Sequence, residues 1–421
     1  MEAFWVLAAV AVLGMVTYGL QLLAVRATVQ RGGRKNPWPP GGPEALYGGP
    51  ADIKDGEGRT GHAPPVSILK PLKGLDDRLF DNLESFCLLE YPQYELIFSL
   101  QDANDPAHKV ARMVMARHPE RRISIVVARC EAGLNPKVNN LIPAYRAAQY
   151  EHILISDSNV AVEPSYLREI VGHMADPKVG LVCNIIRGVH GRSLGSHLEN
   201  LHLNSFVMGS VCFLDRFLNM PCVVGKSMLM TRGDLEALGG LEAVKDVLAE
   251  DYVLGRRLHE QGRRIVLSPH MIDNVNEHWD LRRFFNRHTR WGKIRWKIGG
   301  PRYLSELLGN PVFLAWLPVL LLGPSVPTLS LAGAASLLKV LGDAYLGRTI
   351  RAQAKGWHYT LAPLKDLIIG ILWFVPFLSS SVTWRGHRCR ILSGSTLVPS
   401  RPRGGPSIPH KGVRPWPMAS A

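Results

Sequence analysis

Hydrophobic positions fall along this chain in two different patterns. From Phe4 to Val25 no residue is charged, and Leu, Val and Ala dominate. As a helix these 22 residues extend about 33 Å, enough to cross the hydrocarbon core of a bilayer. A cleaved signal peptide would carry a basic leading segment and a shorter apolar core. Here the chain opens Met1-Glu2-Ala3, and the basic residues Arg26, Arg31, Arg34 and Lys35 follow the apolar run. Residues 1–26 therefore read as an uncleaved anchor, with the chain beyond it on the cytoplasmic side. Residues 27–63, rich in Pro, Gly and charge, read as a linker.

The second pattern occupies residues 64–300, where short apolar runs alternate with amphipathic stretches. Val66–Leu69, Tyr94–Leu100, Arg122–Val127 and His152–Ile155 are the strand candidates. Helical spacing appears around Leu79, Leu83 and Phe86, over Ala107–Arg117 and over Lys137–Gln149. This alternation predicts an α/β domain with a mainly parallel sheet covered on both faces. In such sheets ligands sit outside the carboxyl ends of the strands. The stretch Leu198–Leu218, apolar with interspersed polar residues, fits an interfacial helix or a buried one equally well.

Membrane-type composition returns in residues 301–384. Val312–Leu322 and Val326–Tyr345, separated by Gly323-Pro324, predict a hairpin in the bilayer. Leu361–Val382 is a third apolar segment, interrupted early by Lys365 and Asp366. Arg348, Arg351 and Lys355 place the intervening loop on the cytoplasmic side. The basic segment 385–421 asks for the same side, so a full third crossing conflicts with the charge rule.

Composition narrows the choice of partners. The chain of 421 residues carries a formal charge of +14, which fits nucleic acid, an anionic membrane or a phosphate-bearing substrate. Seven Lys or Arg and no acidic residue lie between Arg385 and Ala421. Half the excess is thus a Pro/Gly-rich tail beside an apolar segment, ordinary for a membrane protein and no argument for nucleic acid. Six cysteines lack CxxC spacing, which indicates neither a zinc site nor a disulfide framework and suits a reducing compartment. No GxGxxG or GxxxxGK[ST] motif supports a dinucleotide fold or a P-loop.

The candidate chemistry lies at strand ends. Lys70-Pro71-Leu72-Lys73-Gly74 closes the first strand, Gln101-Asp102 the second and Asp157 the fourth. Gly133-Leu134-Asn135-Pro136-Lys137-Val138-Asn139-Asn140 leads into a helix; Glu250-Asp251-Tyr252 and Arg287-His288-Thr289-Arg290-Trp291 follow downstream. Together these stretches resemble the ceramide glucosyltransferases, membrane enzymes of the inverting GT-A superfamily whose pattern is three separated aspartates followed by (Q/R)xxRW. Bacterial hopanoid-linked glycosyltransferases share much of the layout.

The resemblance implies a GT-A-type nucleotide-sugar domain between transmembrane helices, moving glucose from UDP-glucose to the primary hydroxyl of a ceramide-like lipid. The alternative is N-acetylhexosamine or galactose transfer to a hopanoid or diacylglycerol. It also implies that Asp102 contacts the uridine of the donor; the plain alternative is a turn-forming loop residue. A departing diphosphate develops negative charge, so Asp157 is the candidate ligand for a divalent cation, Mg2+ or Mn2+. Asp157-Ser158-Asn159 lacks the second carboxylate of an Asp-x-Asp motif, and a strand-end Asp also serves as a turn former. Lys137 offers a positive charge to the diphosphate or a contact to the base. Asp251 is the candidate general base, against an acidic pair that merely suits a helix start. Arg287 and Arg290 are candidates for gripping phosphate oxygens. Trp291 offers a flat face to sugar or acceptor, with membrane-interface anchoring as the alternative for this cluster. A multi-pass membrane protein with its catalytic domain on the cytoplasmic face is the expectation.

Overall fold

A computed structural model describes residues 2–32, 52–54, 60–220, 222–384 and 387–400. Helix α1 (Glu2–Gly32) runs past the predicted end of the anchor. A small hairpin follows, β1 (Asp52–Lys54) with β2 (Thr60–His62). The rest of the predicted linker lies outside the described residues.

The main domain is built on an eight-stranded sheet. In chain order its strands are β3 (Val66–Pro71), β4 (Tyr94–Leu100), β5 (Ile123–Val127), β6 (His152–Ser156), β7 (Val160–Ala161), β8 (Val179–Val189), β9 (Ser227–Thr231) and β10 (Arg264–Val275). The spatial order is β5-β4-β3-β6-β9-β8-β10-β7. Six strands run parallel, while β9 is inserted antiparallel between β6 and β8, and β7 lies antiparallel at the edge. The four strands expected from sequence are all present; β8, β9 and β10 add a second half that their mixed polarity concealed.

Alternation along the strands divides the core between the two faces of the sheet. Val66, Ile68, Leu96, Phe98 and Leu154 point to one face, under α2 (Leu79–Cys87) and α3 (Pro106–Arg117). Leu69, Ile97, Ile153 and Ile155 point to the other, against α4 (Pro136–Ala147). Both faces are buried under helices, as the alternation of strands and helices predicts.

Helix α5 (Tyr166–Gly172) precedes β8. The stretch read as one interfacial or buried helix is α6 (Leu194–His202), one π-helical turn at Leu203–Val207 and α7 (Met208–Leu218). Leu198, Leu201, Leu203 and Met208 are buried, so much of it belongs to the core. Helices α8 (Arg232–Ala237), α9 (Glu250–Glu260) and α10 (Leu281–Gly299) complete the domain.

Beyond α10 come α11 (Pro311–Leu322) and α12 (Val326–Thr349), the predicted hairpin, both packed against α1. Among the described residues, three stretches are long and apolar enough to cross a membrane: Glu2–Gly32, Val326–Thr349 and Gly356–Leu378. The outward residues of the first two are apolar, with Trp5, Val6, Leu13, Val326 and Leu337 all exposed. At 12 residues, α11 reaches only about 18 Å, short of a full crossing.

The third stretch holds α13 (Ala362–Leu372) and α14 (Val375–Leu378). At its start, the His358 ring lies 4.0 Å from the ring of His197 on α6. Just past its end, Lys293 of α10 donates to the Ser381 carbonyl at 2.6 Å. Both ends of the segment thus touch the same domain. Strands β11 (Ser381–Trp384), β12 (His387–Ile391) and β13 (Leu397–Pro399) then form a small antiparallel sheet. The opening part of the predicted tail is therefore folded, with Leu397 and Ile391 packed on Leu248. Residues 401–421 lie outside the described residues.

Candidate active site

The site forms where sequence-distant charges meet at the carboxyl end of β6. Asp157 follows the last residue of that strand. Its Oδ1 lies 2.9 Å from Lys137 Nζ and its Oδ2 lies 2.9 Å from Lys226 Nζ. Lys137 enters through the first turn of α4, whose start is fixed by Asn135: the Asn135 side chain accepts from the Lys137 and Val138 amides, and Pro136 supplies a preset φ. The same ammonium pairs with Glu250 Oε1 at 3.0 Å and donates to the Gly225 carbonyl at 3.0 Å. Lys226 arrives at the start of β9, and the antiparallel pairing of β9 with β6 brings it beside Asp157.

Asp251 occupies the first turn of α9. Its Oδ2 accepts the Gly225 amide at 2.7 Å and its Oδ1 accepts the Tyr252 amide at 2.8 Å. A β-carbon at position 225 would lie 2.6 Å from Oδ2, so the approach requires glycine there. The chain just before α9 is held from the C-terminal sheet. Ser395 Oγ accepts the Ala249 amide at 2.8 Å, and the Ser395 carbonyl accepts the Leu248 amide at 2.9 Å.

Electrostatics separate the two aspartates. Burial alone would raise the Asp157 carboxyl, but the Lys137 and Lys226 ammoniums override it and hold the group well below the usual carboxylate range. Burial followed by the adjacent Glu250 charge pushes Asp251 up to about 6, with Lys137 opposing. Burial opposes the Lys137 charge, yet Asp157 and Glu250 keep it firmly protonated. Lys226 is lowered by burial, with Arg287 and Lys137 adding like-charge repulsion. Beneath the cluster, Lys70 is buried under Phe86 and donates to the Asp157 carbonyl at 2.8 Å.

The other candidates take different places. Arg287 is buried and paired at 3.1 Å with the fully buried Glu199 of α6, which also meets His288 Nε2 at 2.8 Å. The Arg287 guanidinium lies 4.2 Å over the Trp291 ring. The face that Trp291 offered to a sugar therefore carries Arg287, and the expected arginine fork is turned inward to a carboxylate. Arg290 is half-buried on the same helix. Asp102 is exposed and accepts the Asn104 amide at 2.9 Å. It stays apart from the lysine cluster and forms a turn at the end of β4. Asp105 caps α3 and accepts the Gly74 amide at 2.8 Å, tying the Lys70–Gly74 loop to that turn.

The donor set around Asp157 does not fit the expected Mg2+ or Mn2+. Both Asp157 oxygens engage ammoniums, both Asp251 oxygens accept backbone amides, and Glu250 is held by Lys137 and Asn135. Among the described residues no three His, Cys, Asp or Glu side chains gather as a preformed all-protein metal site, so a cation here would rest on Asp157 and the phosphates of a bound donor. A cation at Asp157 would first have to displace a lysine.

The sequence reading missed Lys226, Glu199 and Asp76, the last accepting from Ser158 Oγ at 2.5 Å. Lys226 stands in Pro221-Cys222-Val223-Val224-Gly225-Lys226, a stretch that resembles one near the active site of the ceramide glucosyltransferases but carries no local signal for the lysine itself.

Comparison with known proteins decides the family. The sequence model described as glycosyl transferase family 21 matches residues 6–397. The chain belongs to glycosyltransferase family 21. Among curated relatives, ceramide glucosyltransferase 1 of Caenorhabditis elegans is 33% identical over 238 residues, covering 55% of this chain and 50% of that protein. The ceramide glucosyltransferase of Komagataella phaffii is 29% identical over 192 residues, 41% of this chain and 38% of its own length. This family 21 chain spans about half the length, or less, of the curated relatives it matches. Among solved structures, a mannosyltransferase from Pyrobaculum calidifontis in complex with GDP-Man and Mn2+ aligns with TM-score 0.46 at 18% identity, over 87% of this chain and 99% of that one.

Proposed function

We propose that this family 21 protein is an inverting hexosyltransferase that moves glucose from UDP-glucose to the primary hydroxyl of a ceramide-like membrane lipid. The observation that carries the reading is the pairing of a raised carboxylate, Asp251, with an ammonium cluster at the carboxyl end of central strand β6. A general base works best when its pKa lies near the working pH, and Asp251 at about 6 meets that requirement.

In the reaction, the lipid hydroxyl attacks C1 of the sugar from the face opposite the diphosphate. Its proton passes to Asp251, the C1–O bond to the β-phosphate breaks, and that electron pair stays on UDP. Lys137 and Lys226, fixed by Asp157, supply positive charge to the departing diphosphate. Asp102, at the end of β4, is the candidate for contact with the uridine. Arg287 and Trp291 act through the wall they form with Glu199, and Arg290 remains a candidate for phosphate contact. The basic residues after the apolar part of α1 favour the cytoplasmic face for this domain, where the apolar faces of α1 and α12 give access to lipid.

Transfer of radiolabelled hexose from UDP-glucose to ceramide in membranes tests the reading. Asp251→Asn is expected to lower kcat by about 10²–10⁴-fold; undiminished transfer would remove Asp251 as base. Mass spectrometry of lipids from expressing cells separates this reading from N-acetylhexosamine or galactose transfer to hopanoid or diacylglycerol acceptors.

A further inference from the structure

The loop that leads into α9 is gripped from two sides, and one of the grips comes from the C-terminal sheet. We propose that Ser395, in the turn between β12 and β13, is a positioning residue that sets the Asp251 carboxylate by closing the first turn of α9 from outside. The proposal rests on the reading above that Asp251 is the general base, and adds what holds that base in register with Lys137.

Most helices are capped by their own sequence, and α9 is not. Its N-cap is Ala249, which has no side-chain oxygen to offer the first amides. A capping box would place Glu or Gln at the third helical position to accept the N-cap amide, but Tyr252 stands there. Ser395 supplies the missing acceptor from 146 residues away, its Oγ taking the Ala249 amide at 2.8 Å. The Asp251 side chain accepts the Tyr252 amide, so the carboxylate itself continues the turn that Ser395 begins.

The backbone at Ser395 singles out its hydroxyl. Ser395 is fully buried and has a φ of +65°. That left-handed conformation is costly for a residue with a β-carbon and free for glycine, and the preceding Gly394 adopts it too. What serine adds at such a position is the oxygen that α9 uses.

Residues 245–249 lie between two sets of hydrogen bonds. From the C-terminal sheet, the Leu397 amide donates to the Asp246 carbonyl at 2.7 Å, and Thr396 pairs antiparallel with Val247. From the start of α4, the Asn135 amide donates to the Lys245 carbonyl at 2.8 Å, and its side chain donates to the Val247 carbonyl at 2.6 Å. Glu250 belongs to the α4 side, held by Asn135 and Lys137 at 3.1 and 3.0 Å. Without the Ser395 hydroxyl the loop is left hinged at Asn135. Glu250 then stays on Lys137, and Asp251 is the group free to swing.

Apolar packing ties the same sheet to the rest of the site. Leu248 shares a cluster with Val382, Ile391 and Leu397 of the sheet, with Leu134 and Ile294 packed against it. Leu134 precedes α4, and Ile294 lies on α10 three residues past Trp291. The sheet begins three residues after the apolar stretch Gly356–Leu378 ends. It therefore connects that stretch directly to the helix that carries the base.

The test uses the full chain in nanodiscs with UDP-glucose and short-chain ceramide. Ser395→Gly removes the hydroxyl and suits the backbone, whereas Ser395→Ala removes it and keeps the backbone cost. For both variants we expect kcat to fall about ten- to a hundredfold while the KM for UDP-glucose stays within about twofold. The unfolding midpoint of Ser395→Gly should fall by no more than about 3 °C. Undiminished kcat in Ser395→Gly overturns the proposal even if Ser395→Ala is slow, because backbone strain is then the fault. Hydrogen–deuterium exchange provides an arm that needs no sugar transfer. In Ser395→Gly the amides of residues 249–253 should exchange faster while those of α4 keep their wild-type rates. That pattern supports the grip on α9 even if wild-type protein glucosylates nothing; unaltered exchange at residues 249–253 overturns it.

Discussion

Two buried clusters of carboxylates and ammoniums organise this molecule, and they are finished to different degrees. At the carboxyl end of β6, Lys137 and Lys226 occupy both oxygens of Asp157, and Lys137 also holds Glu250. Near the membrane, Lys339 and Lys365 face Asp343 and Asp366, yet among the described residues Asp343 Oδ2 accepts no hydrogen bond and Asp366 Oδ2 meets only Lys339, at 3.9 Å. On the proposed reading, the closed cluster holds positive charge in place for a diphosphate that arrives with its own negative oxygens. The open cluster leaves acceptors waiting for donors. Closed networks specify geometry, while open ones mark where something else belongs.

The closed cluster is the more fragile to removal of one member. Lys137→Met deletes the ammonium shared by Asp157 and Glu250, leaving Glu250 without an ion partner and Asp157 with Lys226 as its remaining one. Loss of about 3–5 kcal/mol of stability is expected, read as a large fall in unfolding midpoint of detergent-solubilised protein, together with loss of transfer. A small shift would mean that water or Lys226 takes over, and the contrast between the clusters would weaken.

Proton traffic gives the next largest effect. Asp251 must be ionised to accept a proton, and burial beside Glu250 raises it to about 6. The competent form is therefore present above about pH 6 and is lost as pH falls through it. Below that value kcat/KM should drop about tenfold per pH unit. A limb displaced to about pH 4 would place the base elsewhere. In the open cluster, Asp343→Asn retains shape and a hydrogen-bonding head, and Lys339 keeps Ser205. Its stability loss is expected at only about 1–3 kcal/mol, measured by the same unfolding assay. A loss equal to that of Lys137→Met would show both clusters to be structural.

Much of the closed cluster was legible because its members stand at positions with local signals. Asp157 directly follows an apolar strand, Lys137 follows an Asn-Pro helix start, and Glu250-Asp251 opens an amphipathic run. Lys226 carried no such signal. It reaches Asp157 only because β9 runs antiparallel inside an otherwise parallel group, a choice made by long-range pairing and not by local pattern. The inward turn of Arg287 was equally hidden, since Glu199 lies 88 residues upstream in a stretch that fits an interfacial or a buried helix equally well. In the membrane part, Lys365 and Asp366 read as flaws in a span. They make sense only once both ends of that segment are seen on one domain.

The smallest expected effect concerns the cation that Asp157 was expected to hold. With both its oxygens on lysines, the positive charge a diphosphate needs is already supplied by side chains that chelators do not touch. Transfer assayed with excess EDTA should stay within about twofold of its untreated value, because neutralisation by fixed ammoniums does not depend on free metal. Collapse of transfer with EDTA, and recovery with Mn2+, would mean that donor binding drives a lysine off Asp157 and opens a ligand position. Lys226 is the one to leave: burial and the like charges of Arg287 and Lys137 already weaken its proton, whereas Lys137 is anchored by two carboxylates. Lys226→Ala should then make transfer more responsive to Mn2+, and an unaltered Mn2+ response would assign the cation a place away from Asp157.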